Sequence, residues 1–152
     1  MYNTCYRILE NETEAEDVMQ EAFLSAFEHL QDYKGEVAFG AWLKRIVVNK
    51  SLDELRKRKV EFIDIEEHPI IANEAEDESE SAITMHQILK AIEKLPQGYK
   101  VILTLSLLEG YDHEEISEIM GITESASRSQ LSRAKVKLQE ILLANLPKPL
   151  SL

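Results

Sequence analysis

The sequence predicts an all-α chain of two small helical domains joined by a flexible acidic linker. Three observations carry that expectation. Apolar residues recur at i, i+3, i+4 and i+7 on both sides of a single interruption. Only 5 Gly and 4 Pro occur in 152 residues, too few for the tight turns of an all-β chain. The net charge of −11 is concentrated in the interruption: residues 60–82 hold 9 acidic and no basic side chains, against net charges of −2 for 1–59 and 0 for 83–152.

The first half reads as three helices. A short one covers Tyr2 to Leu9. The next runs from about Thr13 to Leu30, with Ala15, Val18, Met19, Ala22, Phe23, Ala26, Phe27 and Leu30 as its core stripe. Its opposite face carries Asp17, Gln20, Glu21 and Leu24. A third starts near Ala38 and extends towards Lys59, burying Phe39, Trp42, Leu43, Ile46, Val47 and Leu55. The short polar link Gln31-Asp32-Tyr33-Lys34-Gly35 makes the two long helices antiparallel neighbours.

Residues 60–82 lose the helical period and end in the acidic, Ser-containing run Asn73 to Ser81, the composition of a solvated linker. The second half then reads as four helices. Ile83 to Leu95 is ended by Pro96, and Gly98 to Glu109 stops at Gly110. Asp112 to Met120 opens with Asp112 and Glu115 at capping-box spacing. Thr123 caps a last helix reaching about Leu143, and the tail around Pro147 and Pro149 cannot continue it. The domains are therefore 1–59, a linker at 60–82, and 83–145.

Composition excludes several classes. With 44% hydrophobic residues the chain is not disordered throughout. The longest apolar run, Val101 to Leu108, is broken by Thr104 and Ser106, so no membrane insertion is expected. Met1 to Glu10 lacks the pattern of a secretory signal. The single cysteine, Cys5, rules out a disulfide framework and a Cys-based zinc site, and points to a reducing cytoplasm. His29, His68, His86 and His113 lack metal-ligand spacing. No Ser/His/Asp set and no Gly-rich phosphate loop is present, so neither an enzyme nor a cofactor is expected.

The acidic total argues against nucleic acid, yet the cations cluster. One group is Arg56-Lys57-Arg58-Lys59 and the other is Arg128, Arg133, Lys135 and Lys137. Both suit a solvated helix end as well as a phosphate backbone. Asp112 to about Lys137 also fits a helix-turn-helix, turning at Gly121-Ile122-Thr123. In that arrangement the second helix enters the major groove with its N-terminal half towards base edges. Arg128, Ser129, Ser132 and Arg133 share one exposed surface there, with Ser125 and Gln130 on its margins. Arg can bond guanine in a bidentate way, Gln can do so to adenine, and Ser is permissive.

These residues resemble a bacterial family, the extracytoplasmic-function (ECF) RNA polymerase sigma factors of the sigma-70 superfamily. Glu14-Ala15-Glu16-Asp17-Val18-Met19-Gln20-Glu21-Ala22-Phe23-Leu24 is similar to the family's A-E-D-x-x-Q-E-x-F helix of region two. Phe39-Gly40-Ala41-Trp42-Leu43-Lys44-Arg45-Ile46-Val47-Val48-Asn49, followed by Asp53, Arg56 and Arg58, is similar to its F-x-x-W-L-x-x-I-x-x-N-x-x-x-D-x-x-R helix. Leu95-Pro96, Leu108-Glu109-Gly110-Tyr111, Glu114-Glu115-Ile116, Gly121-Ile122-Thr123 and Ser129-Gln130-Leu131-Ser132-Arg133-Ala134 are similar to region four. The three segments come in the family's order and span nearly the whole chain.

The resemblance implies a subunit that binds core RNA polymerase, through its β′ and β subunits, and directs promoter recognition, melting and initiation. Asp17, Gln20 and Glu21, with Leu24 on the same face, would dock on the β′ coiled coil. Tyr33 and Asn49 would receive a base pulled from the −10 element, and Lys44, Arg45, Arg56 and Arg58 would hold phosphates. Trp42 is assigned to the core. Arg128, Ser129 and Arg133 would read the −35 element. An anti-sigma factor is a further implied partner. The negative linker would leave the domains loosely tethered and could mimic nucleic acid near the polymerase channel. The chain departs from the family in three places. The family usually has one more helix before the position of Met1. Ser127 stands where the family often has Val, leaving less apolar packing. Gln130 replaces a common basic residue. The alternatives are a stand-alone helix-turn-helix transcriptional regulator, with residues 1–59 as its effector part, and an enzyme.

Overall fold

The computed structural model describes residues 1–58 and 83–145. The expected linker at 60–82, Lys59 and the tail at 146–152 lie outside the described residues. Every regular element among the described residues is helical. The first half contains α1 (Tyr2–Leu9), α2 (Glu12–Glu28), a 3-10 turn (Leu30–Asp32) and α3 (Phe39–Lys57). The second contains α4 (Met85–Glu93), then α5 (Gln97–Leu103), which runs into a π turn (Thr104–Leu108), then α6 (His113–Met120) and α7 (Glu124–Ala144).

Local chemistry explains the ends. The Asn11 side chain caps α2 by accepting from the Glu14 amide at 3.0 Å, and Glu12 and Glu14 in the first turn suit its positive end. Thr84 and Gln87 form a reciprocal capping box that starts α4 at Met85, so Ile83 is left outside the helix and exposed. Asp112 and Glu115 do the same for α6, as their spacing predicts. Gly121 takes φ 69° to end α6, and the Thr123 hydroxyl accepts from the Ala126 amide at 3.0 Å to start α7.

Three expectations about the helices are corrected. The stripe on α2 splits. Its small members Ala15, Val18, Ala22 and Ala26 are buried and let α2 lie close on α3, whereas Phe23, Phe27 and Leu30 are exposed. On α3 the buried seam is Leu43, Val47, Val48, Ser51, Leu52 and Leu55, which leaves Phe39 and Trp42 off it. The helix expected from Gly98 to Glu109 is interrupted: α5 ends at Leu103, and the Glu109 amide donates to Thr104 O at 3.0 Å across the π turn. That bulge re-aims Glu109 and Tyr111 towards the first half.

The two halves are not loosely tethered. One apolar cluster includes Cys5, Ile8 and Leu9 of α1, Val47 and Leu52 of α3, and Val101, Ile102, Leu105 and Ile116 of the second half. Polar contacts cross the same boundary. Gln97 Nε2 donates to Ile8 O at 3.1 Å, and Lys100, itself buried, pairs with Glu10. Charge repulsion within the linker acts among linker residues. Docking of the helices follows instead from the apolar surface they remove from water.

Candidate nucleic-acid interface

The recognition surface begins with α7, held in place by α6 across the Gly121 turn. Leu131, Ala134 and Leu138 are buried on its inner side. Arg128, Ser129 and Ser132 are exposed on its outer side and Gln130 is half-buried on the margin, as the sequence predicts, whereas Ser125, expected on the margin, is exposed and Arg133, expected on the exposed surface, is half-buried. Arg128 pairs with Glu124 one turn earlier at 3.1 Å, a contact within exposed side chains that a phosphate or base can replace. Ser127 is fully buried rather than a thin spot in the packing: His113 Nδ1 lies 2.8 Å from its hydroxyl, which ties the first turn of α7 to the first turn of α6. This serine carries a polar link between the two helices where valine would carry an apolar contact.

On α3 the structure brings the first-half candidates together along with aromatic residues that sequence reasoning had placed in the core. Tyr33, Phe39 and Trp42 form one cluster, with ring centroids 5.4 Å (Tyr33–Phe39), 5.3 Å (Tyr33–Trp42) and 5.6 Å (Phe39–Trp42) apart. The cluster is at the surface: Phe39 is exposed and Tyr33 and Trp42 are half-buried. Tyr33 donates through its hydroxyl to Val37 O at 2.5 Å, which fixes the loop before α3. Trp42 is thus not a core residue. It belongs to an aromatic ledge on which an unstacked base can lie. Asn49 is exposed two turns further along α3.

The cations expected to hold phosphates are all engaged within the chain. Lys44 pairs with Glu109, whose side chain is only 6% exposed and also accepts from the Thr4 hydroxyl. Arg45 pairs with Glu118 at 3.2 Å, and Arg56 donates to Ile119 O at 3.3 Å beside its own-helix partner Asp53. Lys44 and Arg45 also approach the Tyr111 ring, at 5.9 and 5.8 Å from its centroid. Arg58 pairs with Glu14 and donates to Leu9 O at 2.8 Å. Burial pushes the Glu109 carboxyl up, but the hydrogen bonds from Lys44 and Thr4 and the Lys44 charge outweigh it, and the group lies below its usual value of 4.5. Burial pushes the Tyr111 phenol up.

A second surface lies on α2. Asp17, Gln20, Glu21 and Leu24 are exposed on one face, as the sequence predicts. The structure extends that face with Phe23, Phe27 and Leu30, of which Phe27 is 74% exposed. An exposed row of four large apolar side chains rimmed by carboxylates marks a docking surface. The signal was present in the sequence: α2 has large apolar residues on one side of its stripe and alanines on the other, and only the small side can pack closely on α3. No helix of the described residues is long and apolar enough to cross a membrane, and no cluster of metal-ligating side chains occurs among them.

Comparison with known proteins agrees with this arrangement. Residues 1–61 match the family model for sigma-70 region 2, and residues 85–138 match that for sigma-70 region 4. The chain is 30% identical to the ECF RNA polymerase sigma factor SigW of Bacillus subtilis (strain 168), over 93% of this chain and 82% of SigW. It is 33% identical to the RNA polymerase sigma factor CarQ of Myxococcus xanthus, over 90% of this chain and 79% of CarQ. Its fold is similar to that of the sigma factor RpoE of Bartonella quintana, solved in complex with the anti-sigma factor NepR, with TM-score 0.64, 22% identity and coverage of 95% of this chain and 91% of RpoE. It is also similar to CnrH, solved in complex with the cytosolic domain of CnrY, with TM-score 0.59 and 22% identity over 95% of this chain and 81% of CnrH. A region-2 body and a region-4 helix-turn-helix, in that order on one all-helical chain, make this protein a member of the sigma-70 family, of its ECF class.

Proposed function

We propose that this chain binds core RNA polymerase and directs it to promoters, and that its two halves divide the work as 1–59 for polymerase docking and the −10 element, 60–82 as linker, and 83–145 for the −35 element. The observation that carries the reading is the pairing of a region-2 match with a region-4 match in one chain. A stand-alone regulator has no use for the first.

Within that function, Asp17, Gln20, Glu21 and Leu24 meet the β′ coiled coil, and Phe27 adds the apolar anchor. The aromatic ledge of Tyr33, Phe39 and Trp42, with Asn49 nearby, takes an unpaired base of the −10 element, and Lys44, Arg45, Arg56 and Arg58 hold its phosphates. Ser125, Arg128, Ser129, Gln130, Ser132 and Arg133 meet the −35 element. The reading gives no residue a catalytic role and needs no cofactor. It places the protein in the cytoplasm, where polymerase acts, with an anti-sigma factor as its regulator. Gel filtration of the purified chain with core polymerase tests the reading: co-elution is expected, and tight duplex binding by the chain alone without co-elution contradicts it.

A further inference from the structure

We propose that Glu124 is a specificity-determining residue of α7: its carboxylate accepts from the N4 amino group of a cytosine, while Arg128, which it touches, donates to a guanine in the adjacent base pair. This rests on the reading of α7 as the helix that enters the major groove of the −35 element. Glu124 is the first residue of α7, where the N-terminal half of a recognition helix meets base edges. It is the one acidic side chain from Thr123 to Gln139, and the other exposed residues as far as Ser132 are Ser125, Arg128, Ser129 and Ser132 itself. A carboxylate in that place faces rows of phosphates and is repelled unless donors meet it. Arg128 is one donor: its Nη2 lies 3.1 Å from Glu124 Oε2, with the two side chains 60% and 48% exposed. The bond engages one guanidinium nitrogen and one carboxylate oxygen, which leaves Glu124 Oε1 and the rest of the Arg128 fork for DNA. Because the two groups touch, the bases they read are neighbours.

The chemistry of the groove selects the base. Its donors are the amino groups of cytosine and adenine. Adenine N6 lies between two acceptors, its own N7 and thymine O4, and both repel a carboxylate. Cytosine N4 has an acceptor on one side only, guanine O6, and a C–H on the other. Opposite guanine or thymine the carboxylate meets acceptors, so the group that favours cytosine also disfavours the rest. A carboxylate in the first turn suits the positive end of the helix as well, and an i, i+4 ion pair steadies an exposed turn. Neither of those roles depends on base sequence.

The test uses core polymerase loaded with the full chain and a duplex library randomised through the upstream element, with bound templates sequenced. Wild type is compared with Glu124→Ala, Glu124→Gln and Arg128→Ala, each checked for folding by its melting temperature. Wild type is expected to favour cytosine by about fivefold at one position, adjacent to the guanine whose preference Arg128→Ala removes. Glu124→Ala should flatten that position, because templates with other bases bind better while cytosine templates gain nothing. Glu124→Gln should move the preference to adenine, since an amide both donates and accepts. Two results overturn the proposal. One is a Glu124→Ala chain that binds every template tighter by a common factor, as removal of a solvated negative charge would give. The other is a cytosine preference that survives in both Glu124 variants. If Arg128→Ala still changes a base preference in either case, α7 reads DNA and only the role of Glu124 is lost. If Arg128→Ala changes none, the reading of α7 as a recognition helix falls as well.

Discussion

Arg45 and Glu118 are 73 residues apart in the sequence and 3.2 Å apart at their paired atoms, which joins the middle of α3 to the helix that supports the recognition helix. The pair is open to water, so its own contribution is small. Its neighbour Glu109 is nearly sealed and serves Lys44 and Thr4 together. The stability of the docked state therefore rests on the deeper of the two carboxylates. Glu109→Gln is expected to lower unfolding stability by about 1–3 kcal/mol, since Lys44 is left facing a neutral group in a largely dry site. Glu118→Gln is expected to change it by less than about 0.5 kcal/mol. Urea titrations of the two variants check the difference.

Acid should release the same contact. The Glu109 carboxyl is held below its ordinary value of 4.5 by Lys44 and Thr4, which outweigh its burial. A group depressed in the folded state contributes stability that is complete above its unfolded value and is lost as pH falls through its folded value. Tyr111 stands next to the contact, and burial pushes its phenol up, away from that range. Stability should hold from neutrality down to about pH 4.5 and then fall, and the wild-type advantage over Glu109→Gln should shrink with it. Thermal melts of both chains between neutral pH and strong acid give the comparison.

Ser127 makes a different prediction. Its hydroxyl is fully buried and lies 2.8 Å from His113 Nδ1. Ser127→Ala should cost about 1 kcal/mol, because His113 loses a partner that water replaces incompletely. Ser127→Val, the residue common in the family, should not recover that cost without His113→Leu, because the histidine nitrogen stays unpaired beside the new methyl groups. A double-mutant cycle by chemical denaturation measures the coupling.

Phe27 should be the strongest single test of the α2 surface. It is 74% exposed, so Phe27→Ala is expected to leave the melting temperature within error. Loss of a large apolar anchor from a docking face costs about 2 kcal/mol of binding, or roughly thirtyfold. Competition for core polymerase between wild-type and variant chains measures it. Equal competition would assign Phe27 to some other role.

The helix order was legible because each start and stop carries its own local chemistry. Asp112 with Glu115, Gly121 and Thr123 all act where their residue types predict. The exposed faces of α2 and α7 were legible for the same reason, since polar residues at helical spacing have one place to go. What was not legible depends on contacts between distant segments. Periodicity cannot tell which flank of a wide apolar stripe packs, so Phe23, Phe27 and Trp42 were assigned to a core that prefers Ala22, Ala26 and Val48. The π turn at Thr104–Leu108 has no residue signature of its own. The docking of the halves is not legible, because linker charge says nothing about the apolar surfaces of α1 and α5 that meet across the boundary.

Initiation reconstituted from purified parts decides whether this chain directs polymerase to promoters. Core polymerase, this chain and a library of promoter-like templates are combined, and run-off transcripts are sequenced. The expected transcripts depend on the chain and begin downstream of a shared pair of spaced elements, with Arg128→Ala altering the upstream element and Trp42→Ala reducing melting at the downstream one. Transcripts indifferent to the chain, under conditions where it is folded and present in excess, would contradict it.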